Sequence, residues 1–196
     1  MWERIAERLA GRIVVLEPVE RRHAEGLRRA AAHPEIWTLL PIDASTHFDV
    51  WLEHALAQRA RGVEVPFATI DARTGNVLGS TRFLALRPEH RSLEIGGTWL
   101  APDAWETGAN VEAKLLQLTH AFETLGCVRV ELKTDARNDR SRRAMEAIPA
   151  QFEGVHRRHR IERYGRRDSA WYSVIVDEWP EVKANLDRRV QQHVPP

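Results

Sequence analysis

Leu93-Glu94-Ile95-Gly96-Gly97-Thr98-Trp99-Leu100, then Ala101-Pro102-Asp103-Ala104-Trp105-Glu106-Thr107-Gly108-Ala109, then a helix beginning near Asn110: this stretch decides the fold. Its first part alternates as a strand does, and its second is a polar turn containing proline and glycine. Val111, Leu115, Leu118, Phe122 and Leu125 then recur along one helical stripe that Gly126 closes. A strand that enters a helix through a glycine-containing turn aims unpaired backbone N–H groups, and the positive end of the helix dipole, into the turn. An anion fits there, a pyrophosphate above all. A second strand, Val128 to Lys133, and a second helix start, Arg137-Asn138-Asp139-Arg140-Ser141, follow at once.

Outward from this unit, Val65 to Asp71, Val77 to Leu86 and Ser92 to Leu100 read as three strands joined by turn chemistry, an antiparallel meander. Before them lie a short strand, Ile13 to Leu16, a helix from Val19 to Ala32 with Pro34 past its end, and a helix from Phe48 to Gly62 capped by Ser45-Thr46. The apolar connection Ile36 to Pro41 is either core packing under a loop or a substrate-facing lid. After the second helix, Asn138 to Ala147, come strands around Phe152 to His159 and Ala170 to Val176. The pattern is α+β: a mixed, mostly antiparallel central sheet with helices on both faces. One domain over residues 1–180 is expected, with a polar C-terminal tail at 181–196 whose end, from Gln191 on, reads as frayed.

A chain of 196 residues, 43% hydrophobic and 29% charged, can bury a core without disulfides or metals. Its 29 Lys and Arg against 28 Asp and Glu argue neither for nucleic acid nor for an anionic membrane as a partner. The single cysteine, Cys127, excludes an internal disulfide and a multi-cysteine zinc site, and is expected to be a buried, unreactive thiol. Nine histidines show no ligand spacing, so no metal is expected. Neither the Gly-x-Gly-x-x-Gly string of a dinucleotide fold nor the Gly-Lys-Ser/Thr of a Walker NTPase is present. No apolar run could span a bilayer and the N-terminus lacks a signal-peptide core, so a cytoplasmic location is expected.

Over residues 12–178 the chain resembles the GNAT N-acetyltransferases, and more closely their RimJ/RimL-type branch. The resemblance rests on Glu94-Ile95-Gly96-Gly97-Thr98-Trp99-Leu100, on Trp105-Glu106-Thr107-Gly108-Ala109-Asn110 and on Asn138-Asp139-Arg140-Ser141, in that order within a matching run of elements. It departs from the pattern in four places. Trp105 replaces a Gln or Arg, Asn110 replaces the loop's final Gly or Ala, Glu106 puts a carboxylate where relatives commonly have glycine, and Ile148-Pro149 stands where Leu-Gly is usual. Since proline cannot supply a glycine cap's positive φ, the second helix is expected to end differently.

The resemblance implies a GNAT-like fold and transfer of an acetyl group from acetyl-CoA, as co-substrate, to a primary amine of a protein N-terminus or a small molecule. A homodimer is also among its implications. A protonated amine has no lone pair, so a base is needed, and Glu94 is the candidate, acting through water. Alternation puts it on the strand face opposite Leu93 and Ile95, where a merely solvated carboxylate is the other reading. Ser141 is the candidate partner of the departing sulfur, or a helix-start and CoA-contact residue. Cofactor contacts are implied for Thr107, Gly108, Ala109 and Asn110 at the phosphates, for Asn138 and Ser141 at the pantetheine, and for the backbone of Trp99 and Leu100 where the family's fourth and fifth strands splay. Neither Tyr164 nor Tyr172 matches the family's tyrosine acid, and Tyr172 is expected in the core. The basic stretch Arg157 to Arg167 is a solvated hairpin or a contact for an acidic substrate, the CoA 3′-phosphate or RNA, with the solvated reading ahead. A non-catalytic acyl-CoA-binding protein is the alternative function.

Overall fold

The computed structural model describes residues 2–194. Eight strands form one sheet: β1 (Leu9–Ala10), β2 (Val14–Pro18), β3 (Val65–Asp71), β4 (Val77–Arg87), β5 (Ser92–Leu100), β6 (Arg129–Asp135), β7 (Gln151–Glu162) and β8 (Gly165–Ile175). Their spatial order is β1-β2-β3-β4-β5-β6-β8-β7. Every pairing is antiparallel except β5 with β6, which are joined by a helical crossover as a parallel pair requires. This is the expected mixed, mostly antiparallel α+β architecture.

Two hydrophobic clusters cover the two faces. On one, α1 (Ala24–Ala31) and α2 (Phe48–Ala60) bury Leu27, Phe48, Trp51 and Leu52 against Ala68 and Trp99. On the other, α3 (Ala109–Thr119), α4 (Asp139–Glu146) and α5 (Trp179–Gln191) pack Ala113, Leu118, Met145, Trp179 and Leu186 against Phe83, Leu93, Ile95, Val130 and Leu132. Tyr172 is fully buried in this second cluster, as expected of it. One strand serves both clusters because β5 bulges: Arg82 pairs with Gly96 and Ser80 with Trp99, so Gly97 and Thr98 together oppose Thr81. Gly97 takes a φ of 55°, which glycine adopts without a Cβ penalty. The extra residue turns Trp99 into the α1/α2 layer, where its ring meets Trp37 at 5.0 Å and Trp51 at 5.3 Å.

Four expectations change. The α2 N-cap is His47 without a side-chain bond, while Ser45 and Thr46 bond to Asp43 instead, the Ser45 hydroxyl donating to its carboxylate at 2.5 Å. The long helix after Gly108 widens into a π turn over His120–Thr124, with Leu125 N–H donating to His120 O at 2.9 Å. The polar tail expected from residue 181 is helical as far as Gln191: α5 buries Trp179, Val182, Leu186 and Val190 along one stripe. Its polar composition is that of an amphipathic helix's outer face.

The fourth change concerns α4. Ile148 and Ala150 N–H groups both donate to Met145 O, at 3.1 and 3.2 Å, a glycine-type helix ending, and Pro149 sits at the glycine position with φ at 30°. The expected different ending does not occur; buried Ile148 and Ala150 hold the turn although proline's ring favours φ near −65°. Backbone held in such a region costs on the order of 1–3 kcal/mol. Pro149→Gly should therefore raise the melting temperature, by about 2–4 °C for each kcal/mol recovered. Calorimetry checks this, and an unchanged or lower value would show that the turn carries no such strain.

Candidate active site

β5 and β6 are paired over three residues only, Ser92–Glu94 with Arg129–Glu131. Beyond that point the strands part, and the backbone edges of Ile95–Leu100 and Leu132–Asp135 face one another across an opening. At one end of the opening the turn after β5 runs into α3. Gly108 is the N-cap residue at φ 86°, and the first-turn N–H groups of α3 have no intrahelical acceptors. Thr107 Oγ1 donates to Ala104 O at 2.8 Å and accepts weakly from Ala109 N–H at 3.4 Å, which holds the loop. Asn110 Oδ1 is buried without a partner. Glu112, one turn on, is buried and accepts from the N–H groups of Arg12, Ile13 and Val14 at 2.9, 2.6 and 2.6 Å, tying α3 to β2.

Glu106 is exposed and stands at φ 61°, a conformation glycine takes freely. The indole of Trp105 donates to Leu100 O at 2.9 Å, so the strand-edge carbonyl expected to be free already holds one bond. A face of that ring carries the Arg140 guanidinium at 3.9 Å, a contact that links the loop to α4. Across the opening, Asn138 caps α4 by accepting from Ser141 N–H at 3.1 Å. The structure thus joins Asn138 to Ser141, and Thr107 to Gly108 and Ala109. No bond links Glu94 to Ser141.

Glu94 does lie on the face opposite Leu93 and Ile95, but it is not a solvated strand carboxylate: it is 2% exposed. Lys133 of β6 donates to it at 2.6 Å. Burial lifts the Glu94 carboxyl above its ordinary range, and the Lys133 charge and hydrogen bond offset only part of that. Beside Lys133 come the Trp171 ring, 4.8 Å away, and His156 and His159 packed on that ring. The Ile36–Pro41 connection divides between its two readings. Ile36 and Trp37 are core, whereas Leu39 and Leu40 are half-buried at the rim. The β7–β8 turn fastens this rim, since Tyr164 OH donates to Leu39 O at 3.2 Å and Arg163 donates to Leu40 O at 3.1 Å and to Trp37 O.

Sequence reasoning missed Lys133, whose signal is its place two residues after Glu131 on the polar face of β6. It also missed Lys114, fully buried under the β5 bulge with Nζ at 2.8 Å from Thr98 Oγ1, 3.0 Å from Thr81 Oγ1 and 3.2 Å from Gln117 Oε1. No carboxylate faces it, and burial pulls its pKa down to about 7. Cys127 is buried, with its thiol pushed up to about 11 by burial.

The chain belongs to the GNAT acetyltransferase family: the family model described as an acetyltransferase (GNAT) domain matches residues 14–151. A GCN5-related N-acetyltransferase from Brucella melitensis superposes with a TM-score of 0.85 at 29% identity, covering 94% of this chain and 86% of that one. A candidate acetyltransferase from T. thermophilus is 40% identical with a TM-score of 0.77 over 93% and 96% of the two chains. The uncharacterised N-acetyltransferase YoaA of Bacillus subtilis (strain 168) is 29% identical over 121 residues, 62% of this chain and 67% of that protein. The protein is thus a GNAT acetyltransferase, an enzyme of acetyl-CoA-dependent acetyl transfer. Among the described residues no helix is long and apolar enough to cross a membrane.

Lys114 gives the fold a measurable signature. Its folded pKa lies below the ordinary lysine value of about 10.4, so between the two the unfolded chain holds the extra proton and stability rises with pH. The limiting slope is about 1.4 kcal/mol per pH unit. Cys127, raised in the fold, offsets the rise above about pH 9; buried His120 and half-buried His159, both lowered, act below the window. Denaturant midpoints should therefore climb from pH 7 to 9 in the wild type and stay level in Lys114→Met, which leaves Thr81 bonded to Thr98 and Gln117. Equal slopes in the two proteins would mean that Lys114 keeps its ordinary pKa.

Proposed function

We propose that the chain is an N-acetyltransferase of the RimJ/RimL-type branch, moving an acetyl group from acetyl-CoA to a primary amine of a protein N-terminus or small molecule. The observation that carries the reading is a buried carboxylate, Glu94, at the point where β5 and β6 part. The branch is supported by the Glu94–Leu100, Trp105–Asn110 and Asn138–Ser141 segments. Homodimerisation belongs to the same proposal, supported by exposed Phe152, Val155 and Ile161 on the outermost strand, and sedimentation measures it.

The residues present suit the cofactor: positive-φ Gly108, unbonded first-turn N–H groups and the orphaned Asn110 Oδ1 make a polar cradle at one end of an open strand edge. Thr107, Gly108, Ala109 and Asn110 would hold the phosphates, with Asn138, Ser141 and the backbones of Trp99 and Leu100 along the pantetheine. Acetyl-CoA supplies the activated acetyl group. Glu94 would take the acceptor's proton, through water. Its raised pKa moves it toward neutrality, where a general base works best, and Lys133 keeps it ionised. Ser141 would offer its hydroxyl to the sulfur.

Two observations favour the second reading, a non-catalytic acyl-CoA-binding protein: the Glu106 carboxylate beside the phosphate loop and the Trp105 indole on Leu100 O. Free thiol release from acetyl-CoA with a panel of amines separates the two. If no amine in the panel gives thiol release while CoA still binds, binding alone is left.

Two outcomes are expected at the residue level. Glu106→Gln should tighten CoA binding at low ionic strength by removing like charge. Glu106→Gly should do so and also raise stability by about 1 kcal/mol, because the left-handed conformation then costs nothing. Calorimetric titration that finds neither variant tighter would place the carboxylate away from the phosphates. Glu94→Gln should lower kcat by roughly 10²–10⁴-fold with little change in acetyl-CoA affinity. Raising pH should partly restore the rate, since the amine then arrives deprotonated. Wild-type turnover in that variant at neutral pH would remove Glu94 from proton transfer and leave proximity as the source of rate.

A further inference from the structure

The part of the sheet face beyond Glu94 carries groups that acetyl transfer, as described, does not use. α1 and α2 cover the β2–β5 half. On the other half β6, β8 and β7 bring together Lys133, Trp171, His159, Arg160, Arg167 and Glu162. Lys133 is matched by Glu94. Arg160 and Arg167 both turn to one acid, standing 3.8 and 3.9 Å from the same Glu162 oxygen. That is ion-pair distance without a hydrogen bond, and this oxygen is buried with no hydrogen-bond partner.

The donors are as incompletely met as the acceptor. Among the described residues the Arg160 side chain makes no hydrogen bond, and that of Arg167, only 7% exposed, makes one, from Nε to Ser169 Oγ at 3.0 Å. Trp171 Nε1 is buried and unpartnered on the same face. Two guanidinium groups against one carboxylate leave a surplus of one positive charge, and guanidinium forks are shaped for carboxylates. The acceptor's ammonium, by contrast, meets no net negative charge, because Glu94 is already paired.

We propose that this face recognises the acceptor through an anionic group, so that the preferred substrates are amines carrying a carboxylate near the reacting nitrogen, with Arg160 and Arg167 as the specificity-determining residues. This rests on the N-acetyltransferase reading above. Such a carboxylate has two sources, a free acidic amino acid or a peptide whose first residue is Asp or Glu. Either brings the acceptor oxygens that Arg160, Arg167 and Trp171 Nε1 lack.

The test is thiol release from acetyl-CoA by the full chain with matched amines: glutamate against its diamide, and peptide amides beginning with Glu against the same peptides beginning with Gln. The carboxylate member of at least one pair should have a kcat/KM about 10–100-fold higher, the worth of a hydrogen bond to a charged group. Which pair discriminates identifies the source. The difference should sit mainly in KM and shrink between about 0.02 and 0.5 M salt. Arg160→Gln, at a half-exposed position that the fold tolerates, should collapse the ratio, and Arg160→Lys should retain part of it. Calorimetric titration of the preferred amine into the CoA-saturated protein should show the same order of affinities. Equal or better turnover of the neutral partners, or a ratio that survives Arg160→Gln, overturns the inference and leaves the N-acetyltransferase reading standing. If none of the amines supports thiol release, that reading is overturned, and this inference with it.

Discussion

Two parallel strands that pair for three residues and then part are the constraint on which the rest depends. A parallel pair needs a crossover, and the crossover here is α3, whose N-terminus is thereby delivered to the open end of β5. Glu112 then ties α3 to the backbone entering β2, accepting from the N–H groups of Arg12, Ile13 and Val14. Strand edges left unpaired inside a sheet are costly unless a ligand or water meets them. The parted strands therefore place three things within one cleft: open backbone edges, the positive end of α3 and, at the last paired residue, Glu94. That is a site in the sense that matters chemically, an anion cradle at one end and a titratable carboxylate at the other.

The electrostatics of the two faces are opposites. On the open face every acid near the fork is matched: Glu94 by Lys133, Glu131 by Arg87 and Arg129, Asp135 by Arg137. On the α3 face a lysine, Lys114, is sealed in with hydroxyls and an amide and no acid at all. Burying an ammonium without a counter-charge is expensive, so its proton is what gives way near neutrality. The β5 bulge connects the two. It turns Trp99 to one layer and Thr98 to the other, so the same extra residue builds the aromatic cluster with Trp37 and Trp51 and the hydroxyl pocket around Lys114.

The fold was legible wherever a periodicity ran for several residues. β3 and β5 fall on their expected bounds, and the order of strands and helices around the crossover follows from turn chemistry and alternation. What could not be read depends on contacts distant in sequence. Alternation places Glu94 on the correct face, but its burial follows from Lys133, 39 residues away. The helical α5 hides in a polar composition, because only four buried residues spaced three or four apart betray it. The basic stretch read most simply as a solvated hairpin. In the structure its members differ: Arg163 is bonded to the rim, Arg167 is buried, and Arg160 stands beside Glu162. Charge count alone cannot separate those fates.

Two of the positions where this chain departs from its family's pattern share a backbone property. Glu106 and Pro149 both occupy positive φ, one in the loop before α3 and the other just past α4, the two helices that flank the cleft. A glycine would satisfy each conformation freely, so the neighbouring structure must impose it: Trp105 bonded to Leu100 O and stacked under Arg140 on one side, Ile148 and Ala150 sunk in the core on the other. Strain that persists in a fold implies that the surrounding contacts over-determine the backbone. The loop and the helix end are thus held in their observed backbone conformations by packing and by the Trp105–Arg140 contact, not by local preference. It follows that the cleft is shaped before any ligand arrives, and that the energy retained in those two turns is taken from stability rather than from cofactor affinity.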